Sequence, residues 1–254
     1  MGTRWPGDFL AALRAARRIA VLTGAGISAE SGIPTFRDAM TGLWARFRPE
    51  DLATVEAFRR DPALVWDWYE WRRGLVAGAA PNAGHRALAA LQARVPACTV
   101  ITQNVDGLHQ QAGTRGVIEL HGNISRTKCF ADGRVVPAWP ATDERPPRCP
   151  HCGAPLRPDV VWFGESLPAA ALADAERAAR ECDLFLCIGT SSVVYPAAAL
   201  PVAALEAGAR VAEINRDATP LSGTATWSFR GAAGELLPEL LTQAWSGDSE
   251  GARA

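Results

Sequence analysis

The amino-acid sequence predicts an α/β fold: a doubly wound parallel sheet with a smaller inserted lobe. Three observations carry this. Short apolar runs suited to strands buried on both faces alternate with longer helical patterns from residue 19 to about 240. The first apolar run ends in a glycine-rich turn, and residues 34–94 and 122–159 interrupt the alternation.

Leu10 to Arg18 reads as a first helix, and Ile19-Ala20-Val21-Leu22, bounded by Thr23, as the first strand. Gly24-Ala25-Gly26-Ile27-Ser28-Ala29 then matches the Gly-x-Gly-x-x-Gly/Ala dinucleotide pattern. The first glycine permits a tight turn and the second lets backbone approach a pyrophosphate. Small Ala29 lets a following helix lie against the strand, its first amides facing the phosphates. A dehydrogenase half would run on to a second strand with an acidic end about 20 residues later. Instead Ser31 to Arg37 contains Pro34 and reads as a loop.

Helices follow at Pro49 to Arg60, at Pro62 to Val76 with Asp61 as N-cap and Pro62 at the first helical position, and at Ala83 to Arg94. The strand rhythm resumes with Cys98 to Thr102 and Val117 to Leu120, joined by a short helix around Val105 to Gln111. Residues 129–158 are rich in proline and arginine and poor in periodic apolar positions. After them come a strand at Val160 to Phe163, a helix at Ala169 to Glu181, a strand at Leu184 to Ile188, a helix at Ala197 to Ala207, a strand at Arg210 to Ile214 and a last helix at Gly234 to Ala244.

A chain of 254 residues fits one large domain carrying an insertion. The expected division is a large part at 8–33, 95–121 and 160–246, a small lobe at 34–94 and 122–159, and a frayed tail at 247–254. With 48% hydrophobic residues and a net charge of −1, the chain is neither an acidic disordered segment nor a basic nucleic-acid binder. The longest apolar run, Val193 to Leu205, is too short to span a bilayer and contains Pro196 and Pro201, so no membrane partner is expected. No targeting peptide is evident, which points to the cytoplasm. Six cysteines in a reducing compartment read as packing residues or metal ligands before disulfides.

Beyond the glycine turn, further segments resemble one family: Gly24 through Arg37, Thr102-Gln103-Asn104-Val105-Asp106-Gly107-Leu108-His109, His121-Gly122, Val161-Trp162-Phe163-Gly164-Glu165, Gly189-Thr190-Ser191-Ser192-Val193-Val194-Tyr195-Pro196, and Asn215. In kind and order these resemble the sirtuins, NAD-dependent protein-lysine deacylases with a Rossmann-like large domain and a zinc-ribbon-like lobe. The resemblance implies that an acyl-lysine carbonyl oxygen attacks the anomeric carbon of NAD as nicotinamide leaves. A base then deprotonates a ribose hydroxyl, which attacks the resulting imidate and leads to 2′-O-acyl-ADP-ribose. His121 is the base it implies, an imidazole that titrates near working pH at the carboxyl edge of the sheet.

By the same resemblance, Gln103 and Asn104 contact the nicotinamide ribose and order a water, Asn104 with a catalytic role, and Asp106 holds the carboxamide. Phe36 covers the reacting centre and Arg37 stabilises the pocket around it. Gly24, Ala25, Gly26, Ser28, Ala29, Glu30, Thr35 and Val105 complete the near side of the cofactor site. Gly189, Thr190, Ser191, Asn215 and Ala233 complete the far side, Ala233 through its backbone. An acylated protein substrate lies as an added strand between Phe163-Gly164-Glu165 and the segment holding Val193 and Val194.

The acyl group is addressed by Tyr69 and Arg72. At about 100° per residue, Val65, Tyr69, Arg72 and Val76 share one narrow helix face. An arginine in an apolar arc is costly unless its charge meets a partner. Asp67 and Glu70 project from the other side, and Arg73 reads as a surface residue. The pair therefore reads as a fork for a carboxylate at the end of the acyl chain, or Arg72 pairs with an acid from elsewhere. It resembles the class III sirtuins, which favour succinyl, malonyl or glutaryl over acetyl lysine.

The family's zinc ribbon uses two Cys-x-x-Cys pairs. Here the second is present as Cys149-Pro150-His151-Cys152, but the first reads Cys129-Phe130-Ala131-Asp132. Cys129, Cys149 and Cys152 are the metal candidates, with Asp132 or His151 open as a fourth zinc ligand and a metal-free ribbon as the alternative. Cys98, Cys182 and Cys187 lie in or beside apolar strands and read as packing residues. The rival readings are a protein ADP-ribosyltransferase using the same pocket, a catalytically idle NAD-binding module, and a dehydrogenase, which only the glycine fingerprint suggests.

Overall fold

The computed structural model describes residues 5–34 and 47–245. In chain order its elements begin with α1 (Gly7–Ala15), β1 (Arg18–Thr23), α2 (Pro49–Leu52), α3 (Val55–Arg60), α4 (Pro62–Ala77), α5 (Ala83–Arg94), β2 (Ala97–Thr102), α6 (Leu108–Gln111), β3 (Ile118–Glu119) and β4 (Gly122–Cys129). There follow β5 (Leu156–Val160), α7 (Ala169–Glu181), β6 (Leu184–Ile188), α8 (Leu200–Glu206), β7 (Arg210–Asn215), β8 (Trp227–Arg230) and α9 (Ala233–Ala244).

The main sheet runs β3-β2-β1-β6-β7-β8, and every pair in it is parallel. Renumbered within the sheet this is the 3-2-1-4-5-6 order of a Rossmann-type fold, with its switch point between β1 and β6. Alternate strand residues face opposite layers. Ile19, Val21, Leu184, Leu186 and Ile188 meet α1, α5 and α9, whereas Ala20, Leu22, Phe185 and Cys187 meet α7 and α8. The apolar runs of β1 and β6 are thus buried on both faces, each large side chain contributing about 1.5–3 kcal/mol.

A third core belongs to the inserted lobe, where Leu52, Phe58, Val65, Trp68, Tyr69 and Val76 of α2 to α4 pack on Ile124, Val160 and Trp162. A fourth, small core gathers Cys129, Val136, Cys149 and Leu156 around Trp66. Helix α5 packs on the sheet with α9 rather than on this lobe, because its buried Ala87, Leu88 and Leu91 face the sheet layer. Residues 83–94 therefore sit with the large part of the expected division.

Several elements differ from the sequence expectation. Helix α1 ends at Ala15 rather than Arg18, because the amides of Arg17 and Arg18 both donate to Asp183 Oδ2 at 2.8 Å and draw the chain into β1. The expected helix over 49–60 is two helices, since extended Thr54 caps α3 by accepting from the Ala57 amide at 3.1 Å. Among the described residues 24–34 the glycine turn runs into no regular α-helix; Ala25–Ile27 and Ala29–Ser31 form two single-turn 3₁₀ segments. The expected strand over 160–163 does not join the main sheet. β5 ends at Val160 and pairs antiparallel with β4. Past it, the Val161 amide donates to the His121 carbonyl and the Phe163 amide to the Ala53 carbonyl. β4 and β8 were not expected from the sequence.

Candidate active site

The carboxyl ends of β1 and β6 are pressed together by glycine. The Gly26 amide donates to the Gly189 carbonyl at 2.8 Å. A Cβ on Gly24 would stand 2.8 Å from the Gly189 carbonyl oxygen and from Thr190 Cα, and a Cβ on Gly26 would stand 2.7 Å from Gly189 Cα. Gly189 itself has a left-handed φ of 60°. Here the glycines of the fingerprint let two loops meet at the switch point, the place where open α/β sheets bind ligands.

Residues following β2 line the same crevice and tie its loops together. Gln103 Nε2 donates to Thr190 Oγ1 at 2.8 Å, and Asn215 Nδ2 at the end of β7 donates to the Thr190 carbonyl at 3.3 Å. Buried Asn104 donates through Nδ2 to the Gly24 carbonyl and to Ser28 Oγ, both at 3.1 Å. Ser28 Oγ donates to Asp106 Oδ2 at 2.7 Å, while the other Asp106 oxygen accepts from the Leu108 amide at 2.9 Å. These contacts bring together Gly24, Gly26, Ser28, Gln103, Asn104, Asp106, Gly189, Thr190 and Asn215. Thr35, Phe36 and Arg37 lie outside the described residues.

Glu30 bonds to the first turn of α9. Its Oε2 accepts from the Gly234 amide at 2.8 Å, at the N-terminus of α9. It therefore joins the turn after β1 to the helix that begins at buried Ala233.

His121 stands just after β3, with Nδ1 2.9 Å from the Gln103 carbonyl oxygen. A carbonyl only accepts, so Nδ1 carries the hydrogen and Nε2 presents a lone pair. Burial pushes its pKa below the usual imidazole value, against the opposing pull of that bond, so the neutral, proton-accepting form persists to lower pH. Two further histidines, not expected at the site, lie beneath it. The Asn82 amide donates to His85 Nδ1 at 3.3 Å, and His85 Nε2 lies 3.4 Å from Ser28 Oγ. His109 Nε2 lies 2.9 Å from Thr23 Oγ1, and burial pushes its pKa down to about 3.

On the lobe side, α4 carries the expected arc: Val65, Tyr69 and Val76 are buried. Tyr69 Oη accepts from Trp162 Nε1 at 2.9 Å, and burial raises its pKa to about 12. The half-buried Arg72 guanidinium lies 5.1 Å from the centre of the Trp68 ring. Burial pushes its pKa down, while the Tyr69 phenol and the Asp106 carboxylate push it up. Arg73 is no surface residue: it crosses to β4, donating to the Ile124 carbonyl at 2.6 Å and to the Arg126 carbonyl and Thr127 Oγ1 at 2.9 Å. It braces the irregular stretch of β4 between Asn123 and Thr127.

Phe163, Gly164, Val193, Val194 and Tyr195 are exposed on the two expected rims of a peptide cleft, and Ser192 between them adopts a left-handed φ of 55°. Glu165 differs, since both its oxygens are held by Arg157 at 2.6 and 2.8 Å and it also accepts from the Trp162 amide at 2.8 Å. Burial opposes its charge, but the Arg157 fork holds the carboxyl below its usual range. Arg157 escaped the sequence reading; its only signal was an opposite charge eight residues before Glu165.

The ligand sulfurs of Cys129, Cys149 and Cys152 lie within 4.8 Å of one another, and this trio suits a thiophilic ion such as zinc. Asp132 and His151 are not among these three, but the Asp132 carboxylate also bonds the Cys129 thiol, and its Oδ1 accepts from the Arg134 amide at 2.9 Å. Cys182 and Cys187 are buried and Cys98 half-buried against the sheet core, as packing residues should be. No described helix is long and apolar enough to cross a membrane.

The Sir2 family model matches residues 24–196. An NAD-dependent protein deacylase of Methylococcus capsulatus is 52% identical over 242 residues, covering 92% of this chain and 95% of the relative. The solved structure of a Sir2 homologue in complex with NAD superposes with a TM-score of 0.89 at 44% identity, covering 96% of each chain. A mutant Sir2 homologue in complex with 2′-O-acetyl ADP ribose superposes at 0.88, also at 44% identity, covering 95% of this chain and 97% of that one.

Proposed function

The chain belongs to the Sir2 family, and we propose that it is an NAD-dependent deacylase of protein lysines that prefers acyl groups ending in a carboxylate. The observation that carries the deacylase reading is His121, whose Nδ1–H is spent on the Gln103 carbonyl and whose Nε2 lone pair is left to accept a proton. NAD supplies the activated ribose. The chain's own residues bind and orient it: glycine backbone at Gly24, Gly26 and Gly189 for the pyrophosphate, Gln103, Asn104 and Asn215 for the ribose hydroxyls, and Asp106 for the carboxamide. Glu30 acts by fastening the turn to α9.

A protein segment bearing the acyl-lysine lies between the Phe163-Gly164 and Val193-Val194 rims, exposed apolar positions that an added strand would cover. Glu165 shapes one rim from behind. For the acyl chain, Tyr69 and Arg72 offer a hydroxyl and a guanidinium to a terminal carboxylate. Moving the acyl group to a ribose oxygen, with nicotinamide leaving, one water consumed and His121 holding the proton taken from the ribose hydroxyl, would yield nicotinamide, 2′-O-acyl-ADP-ribose and free lysine. Six free thiols accord with work in a reducing cytoplasm.

Incubation with NAD and succinyl-, malonyl-, glutaryl- and acetyl-lysine versions of one peptide, followed by mass spectrometry, tests this. The expected result is acyl-dependent nicotinamide release with kcat/KM higher on the acidic acyl groups, a preference lost in Arg72→Met. Equal loss of both activities in Arg72→Met refutes the fork. ADP-ribose added to protein, or no turnover, refutes the deacylase.

A further inference from the structure

Trp162 is only 2% exposed although its neighbour Phe163 is 54% exposed. Its ring is held on several sides. The guanidinium carbon of Arg157 lies 3.3 Å from the ring centre, Phe58 packs at 5.2 Å, and its amide is bound to Glu165. Arg157 is itself buried, forked onto Glu165 and bonded to the Val160 carbonyl at 2.8 Å. A planar guanidinium stacked on an indole and locked to a carboxylate leaves that ring little freedom.

The polar edge of the clamped ring points at the acyl site. Trp162 Nε1–H donates to Tyr69 Oη at 2.9 Å, and an indole N–H only donates. The tyrosine oxygen is therefore an acceptor here, and its own hydrogen takes the other position in the phenol plane. Tyr69 is 1% exposed, and among the described residues no acceptor for that hydrogen stands within hydrogen-bonding reach. A buried donor left unpaired is costly, so the site is built for a ligand that accepts there.

Resting on the acidic-acyl reading above, we propose that Trp162, clamped by Arg157 and Glu165, is a positioning residue for acyl selection. Its N–H occupies the Tyr69 oxygen and so commits the Tyr69 hydrogen to the carboxylate of the acyl chain.

The test is a double-mutant cycle on the full chain, with kcat and KM measured on succinyl and acetyl versions of one peptide for wild type, Trp162→Phe, Tyr69→Phe and the double variant. Trp162→Phe is expected to lower the succinyl-to-acetyl ratio of kcat/KM about fivefold, the scale of one hydrogen bond, through KM for the succinyl peptide. In the Tyr69→Phe background the same substitution leaves the ratio where Tyr69→Phe alone puts it. Arg157→Lys keeps the charge but loses the fork; it is expected to follow the same pattern and serves if Trp162→Phe does not fold. A ratio unchanged by these substitutions, or an effect that persists undiminished without the tyrosine hydroxyl, overturns the proposal. A wild type with equal kcat/KM on both peptides overturns the acidic-acyl reading on which it rests.

Discussion

Replacing Gly189 by alanine probes the seam on which the cofactor crevice depends. The new Cβ would stand 2.5 Å from the Ile27 amide nitrogen and 2.8 Å from the Gly26 carbonyl carbon, both backbone atoms that no rotamer change can move. Two costs add. Holding alanine at a φ of 60° costs about 1–2 kcal/mol, and forcing the packed loops apart costs about 1–3 kcal/mol. For a chain of this size a total of about 2–5 kcal/mol lowers Tm by about 5–15 °C. Gly208 is the matched control, because its φ is 91° and nothing lies within 4 Å of its added Cβ. Gly208→Ala should carry only the backbone cost, a loss of a few degrees, and leave KM for NAD unchanged. Gly189→Ala should also raise KM for NAD, since the parted loops no longer present one phosphate cradle. Thermal denaturation of both variants with NAD kinetics checks this, and equal Tm losses would refute the account of the seam.

Two further outcomes follow from the buried histidines and the thiol cluster. Burial lowers the pKa of His85, His109 and His121 in the folded chain, so the unfolded chain binds more protons below pH 6.5 and stability falls as pH drops from there. His109, with a folded value of about 3, accounts for up to about 5 kcal/mol of that loss between pH 6.5 and 3; urea melts at stepped pH should show His109→Gln with a shallower acid slope than wild type. Purified protein should carry about one zinc per chain, lost on Cys149→Ser together with several degrees of Tm; zinc retained by Cys149→Ser contradicts the three-thiol site.

How much was legible in the sequence depended on how local the cause was. β1 and β6 are unbroken apolar runs because helices cover both their faces, and that burial is written in the residues themselves. The arc of Val65, Tyr69 and Val76 was legible for the same reason. β4 was not, because Gly122 to Cys129 has no regular alternation and is held by a partner strand some 30 residues later and by Arg73 from α4. Arg72 and Arg73 are adjacent, and helical periodicity sent only one of them inward. The other reaches the interior by its length, which no periodicity records. Glu30 illustrates a third cause: it is fastened to a helix end more than 200 residues away, a partner that no local pattern records.

The order of the main sheet also bears on how the protein comes into being. β1 is made well before β6, one of its two neighbours, and the Arg18 amide waits for an aspartate 165 residues later. Until that length has been synthesised, one edge of an apolar strand stands open, and contacts this distant in sequence are slow to close. The crevice between β1 and β6 is therefore among the last parts of the molecule to assemble. A nascent or truncated chain that stops short of β6 exposes a sticky strand edge and has no cofactor site, so acquisition of activity and escape from aggregation become the same late event.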